Sequence, residues 1–490
     1  MSTPTQPENT LWDVLCARAA ALRRAALHQA LALQARGVRA GDRALVQLLN
    51  PTELLVSTLA LWRLGAVPVL LHPAEPAHKA AEILARAGAQ HALTGGGFAI
   101  FSTAGADDAE ATEDAALKAE ARLGPPPAAE APAAVFCTSG STGDPLLVLH
   151  AHGPLRRCAQ GVVDGLGLRE DDVLMGALPL SFHYGFSQFS AALCAGAALC
   201  PTGPLLPGDL LAALKSAQAT VCALVPTQLA ALAEAAAGAP LPNLRLLTSA
   251  GARLPDPTRA QLQNALPGAA LHELYGATEC LRSLRLGPEH GAGGGGRLGA
   301  PVPGVRVAVV VEGPGGLRLA APDEPGELVH AGDLLCIGYL DAPEEAAARL
   351  RPCPPLGADR AFFTGDQARR DASGALFFLG RTDARWGVGG VRVGAAPTEA
   401  ACLALPGVAE AVAFAVPDPI LGQHIEVALR LLPEAPPLAR LIAALRGALP
   451  PWSLPRRLHP WAGPWPSTPN GKIDRHAILA ELHPSTAPRT

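Results

Sequence analysis

Lysine is nearly absent from this chain. Its 490 residues include only Lys79, Lys118, Lys215 and Lys472, while arginine supplies the other thirty-five basic residues. Aromatic residues make up 4%, formal net charge is -4, and there is no run of like charges. A nucleic-acid surface and a basic membrane patch are therefore excluded, leaving small acids, nucleotides and proteins as partners. The ten cysteines contain no CxxC pair, so they signal neither a zinc site nor a disulfide framework. The N-terminal "MSTPTQPENTLWD" lacks the basic region and apolar stretch of a secretory leader, and a reduced cytoplasm is expected.

Formal charge is also missing between Asp172 and Asp209. A membrane span needs roughly 20 apolar residues, but Pro179, His183, Ser187, Gln188 and Pro201 interrupt this stretch. It reads as strand end, loop, helix and next strand, and no membrane span is expected. Oligomeric state is left open.

The length suggests about three domain-sized units. Short apolar runs alternate with Ala/Leu-rich helical stretches: "ALVQLL", "PTELLVSTLALWRLG", "AVPVLL" and "AHKAAEILARAGA", then "DLLAALKSAQA", "TVCALVP" and "TQLAALAEAAAG". That rhythm predicts parallel strands joined by crossover helices up to about Pro288. "GAGGGG" at Gly291 to Gly296 reads as a mobile surface connection. The segments "VRVAVVV", "GLRLAA", "GELVHAG" and "ALFFLGR" then suggest a smaller β unit. From about Ala384, "VAEAVAFAVPD", "HIEVALRLL" and "LARLIAALRGAL" predict a compact α+β tail. The Ala-rich Asp107 to Ala134 reads as low-complexity surface. The expected fold class is α/β: a large N-terminal domain of doubly wound mixed sheets plus a β unit, and a small mobile α+β C-terminal domain.

In "VFCTSGSTGDP" an apolar strand runs into Thr138, Ser139, Gly140, Ser141, Thr142 and Gly143. Glycines there let the backbone approach an anion while hydroxyls and N–H groups donate to phosphate oxygens. Taken alone the stretch also reads as a polar hairpin turn. It is followed in order by "LYGATEC", "FFTGDQARRD", "GRTDARWGVGGVRV" and "PSTPNGKIDR". With these five motifs the sequence resembles the adenylate-forming superfamily of acyl- and aryl-CoA synthetases, carrier-protein ligases, peptide-synthetase adenylation domains and luciferases, over nearly its whole length.

The resemblance implies ATP-dependent activation of a carboxylic acid to an acyl-adenylate, then transfer to a thiol of CoA or of a carrier protein's phosphopantetheine arm. It implies ATP and Mg²⁺ as cofactors. Residues 138 to 143 would hold the β- and γ-phosphates. Tyr275 would stack on adenine, with Gly276 beside it; Thr278 would meet the α-phosphate and Glu279 would bind magnesium. Asp366 would accept from the ribose hydroxyls with Arg381 supporting that region, and Gly251 would line the adenine and acyl pocket. His183, Ala250 and Gly276 are assigned to the acid pocket; for His183 a satisfied core role is the alternative. His150 and His152 in "LHAHG" lack a third metal ligand and read as structural.

Asp383 matches the family's hinge, giving domains of 1–383 and 384–490. Gly390 would line the thiol tunnel and Arg392 its mouth. Lys472 would bridge the acid and the α-phosphate. A compact ammonium reaches between two anions where a planar guanidinium is too broad, which accounts for a lysine in an arginine-rich chain.

Three departures stand out. Leu146 occupies the usual lysine position after the phosphate loop, with Asp144 adding charge nearby; Gly387 replaces the lysine four residues after the hinge; and "GAAPTEA" keeps only Glu399 of an acidic run. A catalytically weakened homologue that binds nucleotide or partner without forming a thioester is therefore the alternative, and a nonthiol acceptor a third. No Asp occurs from Gly176 to Gln188 to hold a substrate amine, so an aryl or short to medium acyl acid is expected. Arg392, Arg430, Arg440, Arg446, Arg456 and Arg457 do not decide between CoA and a carrier protein; resemblance to cluster-type ligases favours the carrier.

Overall fold

The computed structural model describes residues 10–12, 14, 19–95, 122–123, 125–138, 145–202, 205–290, 296–381, 385–388, 391–418, 422–449, 451–468 and 473–483. The first sheet begins with β1 (Arg43–Gln47), β2 (Val67–Leu70), β3 (His91–Thr94), β4 (Pro132–Cys137) and β5 (Leu147–Ala151). β1 to β4 run parallel and β5 returns antiparallel beside β4. The first crossover helix, Pro51–Arg63, starts where the Asn50 side chain accepts from Thr52 N and Glu53 N, with Pro51 at its first position. That cap satisfies donors which have no partner inside the helix. Asp107 to Ala134 is corrected in part: its last three residues enter β4, where Ala133 and Ala134 are fully buried. Alanine is too small to announce a core strand by itself.

The second sheet contains β6 (Val173–Gly176), β7 (Ala198–Pro201), β8 (Val221–Leu224), β9 (Leu246–Ser249), β10 (Ala270–Tyr275), β11 (Leu284–Leu286) and β12 (Ala300–Pro301), in the order β12-β11-β10-β9-β8-β6-β7. Its β6 to β10 are parallel, and β11 and β12 close one edge antiparallel. The charge-free segment becomes β6, helix His183–Ala195 and β7; among the described residues no helix is long and apolar enough to cross a membrane. Helices His152–Leu166 and His183–Ala195 share one core with both sheets, which joins Phe136 of β4, Leu155, Phe186 and Phe189 to Leu174, Val221 and Leu246. Burying such side chains contributes about 1.5–3 kcal/mol each.

An antiparallel unit follows: β13 (Val305–Gly313), β14 (Gly316–Leu319) and β15 (Gly326–Gly332), then β17 (Leu350–Cys353), β18 (Ala358–Arg370) and β19 (Leu376–Arg381). Between them β16 (Gly338–Tyr339) returns to the first sheet, completing β16-β5-β4-β2-β1-β3. Thr364 to Asp366, which a turn would also accommodate, sit inside β18, with Gly365 at φ 74°. Residues 291–295 of the glycine stretch lie outside the described residues.

The last sheet comprises β20 (Arg385–Val388), β21 (Val391–Gly394), β22 (Val408–Asp418), β23 (Gly422–Leu431) and β24 (Arg457–Pro460), with helices Ala395–Leu403, Leu438–Ala448 and Arg475–Leu482. Buried Glu426 of β23 accepts hydrogen bonds from Nε2 of His424 at 3.1 Å, His459 at 2.6 Å and His483 at 2.7 Å. That network ties β24 and the end of the last helix to the sheet.

Candidate active site

β10 and β11 pair antiparallel, and the loop between them carries "GATECLR". It is closed by Ser283 N donating to Tyr275 O at 2.9 Å. A Cβ on Gly276 would lie 2.0 Å from the carbonyl oxygen of Leu281, so only glycine allows so close an approach. Leu281 itself stands at φ 54°, a costly conformation for a branched side chain, held by the loop around it. The turn Thr278–Cys280 between them presents Thr278 and Glu279.

Three sequence-predicted residues meet at one end of this loop. The Tyr275 hydroxyl donates to Asp366 Oδ2, and Arg381 Nη1 donates to Asp366 Oδ1 at 3.0 Å. The second contact follows from register, since Asp366 and Arg381 face each other across β18 and β19. Asp366 N donates to Thr364 Oγ1 at 3.0 Å. Burial, and then the Asp366 carboxylate, push the Tyr275 phenol well above its ordinary value, so it stays a neutral donor.

Glu279 is buried, and its Oε1 accepts from the Tyr339 hydroxyl at 2.9 Å. A hard carboxylate suits Mg²⁺, and Glu279 would hold that ion. Thr278 is braced from behind: His150 Nε2 donates to Thr278 O at 2.7 Å. Burial lowers His150 to about 4, keeping it neutral. Among the described residues its Nδ1 has no partner.

Thr138 N donates to Leu146 O at 3.0 Å, closing the base of the hydroxyl-rich loop, of which 139–144 lie outside the described residues. Arg86 Nη2 donates to Pro145 O at 2.8 Å and also pairs with Asp341 at 2.6 Å. His183 starts its helix with its ring centroid 6.0 Å from that of Phe136. Burial first, then the charges of Arg282 and His150, hold His183 well below its ordinary value. Ala250 and Gly251 follow β9, with Gly251 at φ 92°.

Asp383, Gly390 and Lys472 lie outside the described residues, and Arg392 is placed through its backbone, opposite Gly387. The flanks of Lys472 are described. Asp474 N donates to Pro466 O at 2.8 Å, Ser467 bridges Ile473, and Arg475 Nη2 donates to Glu399 Oε1 at 2.7 Å. Glu399, all that remains of the acidic run, thus anchors the segment that carries the lysine.

The family model described as AMP-binding enzyme matches residues 20–340, and the model of the AMP-binding enzyme C-terminal domain matches residues 398–472. The chain belongs to the AMP-binding enzyme family. It is 34% identical over 471 residues to phosphinothricin tripeptide synthetase PhsC of Streptomyces viridochromogenes, covering 92% of this chain and 41% of PhsC. It is 29% identical over 495 residues to the salicyl-AMP ligase / salicyl-S-ArCP synthetase of Mycobacterium tuberculosis, covering 94% of this chain and 84% of that protein. Among solved structures, ATP-bound MatB from Rhodopseudomonas palustris superposes with TM-score 0.77 at 25% identity, over 96% of this chain and 94% of MatB. The chain spans less than half the length of several curated relatives: 6%, 41% and 18% of three of them.

Within this AMP-binding enzyme, sequence reasoning missed Tyr339, Arg86, Arg282 and the role of His150. Tyr339 carries no local signal. Arg282 lies within "ECLRS", three residues after Glu279.

Proposed function

We propose that this AMP-binding enzyme activates a carboxylic acid with ATP and passes the acyl group to a thiol. The observation that carries the reading is the convergence of Tyr275, Asp366 and Arg381 at one end of a loop that presents Thr278 and Glu279 at its turn. In the first step an acid oxygen attacks the α-phosphorus, the bond to the bridging oxygen breaks, and pyrophosphate leaves. Two unit anions about 4 Å apart repel by roughly 4 kcal/mol at an effective dielectric near 20, so fixed donors must offset the charge as it develops. Asp366 and Arg381 orient the ribose, Tyr275 covers the base, and Lys472 stands between carboxylate and phosphate. Mg²⁺, when bound at Glu279, supplies charge neutralisation for the phosphates.

In the second step the thiolate attacks the acyl carbonyl carbon and AMP leaves with the bonding electron pair. Rotation about Asp383 would exchange the two conformations, with 1–383 and 384–490 as the moving parts. We favour a carrier-protein thiol over CoA. Arg430 pairs with Glu410 at 3.1 Å and Arg456 with Asp418, so two of the six C-terminal arginines available to a CoA phosphate are already engaged. The similarity to a salicyl-S-ArCP synthetase supports the same choice.

ATP–pyrophosphate exchange with a panel of acids tests the first step. Exchange with at least one acid is expected; folded, ATP-binding protein that exchanges with none would leave the weakened-homologue reading in its place. Mass spectrometry of the thioester formed when CoA and a carrier protein compete tests the acceptor.

A further inference from the structure

Arg282 is 5% exposed. Nη2 donates to Ser187 Oγ at 3.0 Å, while among the described residues the buried Nη1 has no hydrogen-bond partner. Among the described residues no carboxylate forms an ion pair with it. The guanidinium carbon lies 5.6 Å from the centroid of the Tyr184 ring. Tyr184 in turn shares a hydrogen bond of 2.7 Å with Thr248 Oγ1 on β9. The position is built rather than accidental: a Cβ on Gly276 would come within 3.1 Å of Arg282 Cα, and the left-handed Leu281 directly precedes it.

An unpaired buried cation is costly, and its counter-ion must come from somewhere. The nucleotide-side groups Asp366 and Glu279 have their own donors, whereas Arg282 reaches to the helix that begins at His183, whose Tyr184 in turn bonds Thr248 on the strand that leads to Ala250. Those are the elements assigned to the acid. Among the described residues Ser249 Oγ on β9 is also buried without a partner.

We infer that Arg282 is the subsite for a second anionic group on the acid, so that the substrate is a dicarboxylate activated at one end and held by Arg282 at the other. This rests on the reading of the chain as an acid-activating enzyme. Tyr184, Ser187 and Thr248 complete the subsite: the Tyr184 ring lies against the guanidinium, Ser187 Oγ accepts from it, and Thr248 holds the Tyr184 hydroxyl. A neutral acid would leave Arg282 buried and unpaired in the bound complex, and a site built around polar partners rejects analogues that lack them by large factors.

The test is ATP–pyrophosphate exchange with dicarboxylic acids of graded length, aliphatic and aromatic, each compared with its own half-methyl ester. In the unmodified enzyme the preferred diacid should exceed its half-ester in kcat/KM by on the order of a hundredfold. Arg282→Met should erase that preference, chiefly by losing the diacid. Equal kcat/KM for diacid and half-ester in the unmodified enzyme overturns the subsite, and that comparison needs no variant. Equal loss of both in Arg282→Met also overturns it, because the arginine would then serve the phosphates common to both reactions. Calorimetric binding of the same pairs separates this inference from the activity. Diacid binding that depends on Arg282, without exchange, would keep the subsite and remove the adenylation reading; binding without discrimination would remove the subsite.

Discussion

The Tyr275 hydroxyl and the Asp366 carboxylate, 91 residues apart in sequence, are hydrogen-bonded to each other. The carboxylate is therefore held in one orientation, by Tyr275 on one oxygen and Arg381 on the other. Asp366→Ala is expected to raise KM for ATP and lower kcat/KM by on the order of 10- to 100-fold, the range for losing charge-assisted hydrogen bonds. Tyr275→Phe keeps the ring and should cost about fivefold. ATP titrations of pyrophosphate exchange check both; a larger loss in Tyr275→Phe than in Asp366→Ala would show that the carboxylate is not the principal ribose acceptor.

Lys472→Ala and Lys472→Arg should both lower adenylation by at least roughly a hundredfold, about 3 kcal/mol, while thioester formation from supplied acyl-adenylate largely survives. Separate single-turnover measurements of the two half-reactions decide this. If both half-reactions fall equally, the lysine is not specific to adenylation.

Arg475 and Glu399 predict a weaker effect at the same step. The pair is half open to solvent on the arginine side, so its contribution is about 0.2–1 kcal/mol. Arg475→Ala should lower adenylation by about threefold and leave the thioester step unchanged. Unchanged adenylation would mean that the lysine segment is held by the backbone contacts of Asp474 alone.

Glu426 gives a pH signature. Its carboxyl is held below the ordinary value of 4.5; burial opposes this, and the hydrogen bonds from His424, His459 and His483 outweigh it. A carboxyl depressed on folding contributes stability above its unfolded pKa and loses it as pH falls through the folded value. Glu426→Gln should therefore lower Tm above about pH 5, with the difference closing at more acid pH. Thermal melts of both proteins between pH 3 and 7 check the convergence; a difference that persists unchanged to pH 3 would assign the loss to packing instead of charge.

Much of the architecture was legible because its signals are local. Alternation of apolar runs with Ala/Leu helices placed β1, β2, β8 and the helices around them, and the interrupted charge-free segment divides into β6, a helix and β7. Pro132 to Ala134 failed for the opposite reason: their strand is defined by pairing with β2 and β5, which leaves no mark on small side chains.

What the sequence alone determined is the order and chemistry of the motifs, and with it the expected reaction and the oddity of Lys472. Tertiary structure decided which groups are partnered. His150 reaches Thr278 across 128 residues and Arg282 reaches Ser187 across 95. Whether a cation is compensated depends on every chain segment packed around it and on how much water is excluded, and neither is encoded within a few residues of the arginine. Burial turned one more arginine in an arginine-rich chain into a charge for which we propose a counter-ion on the substrate.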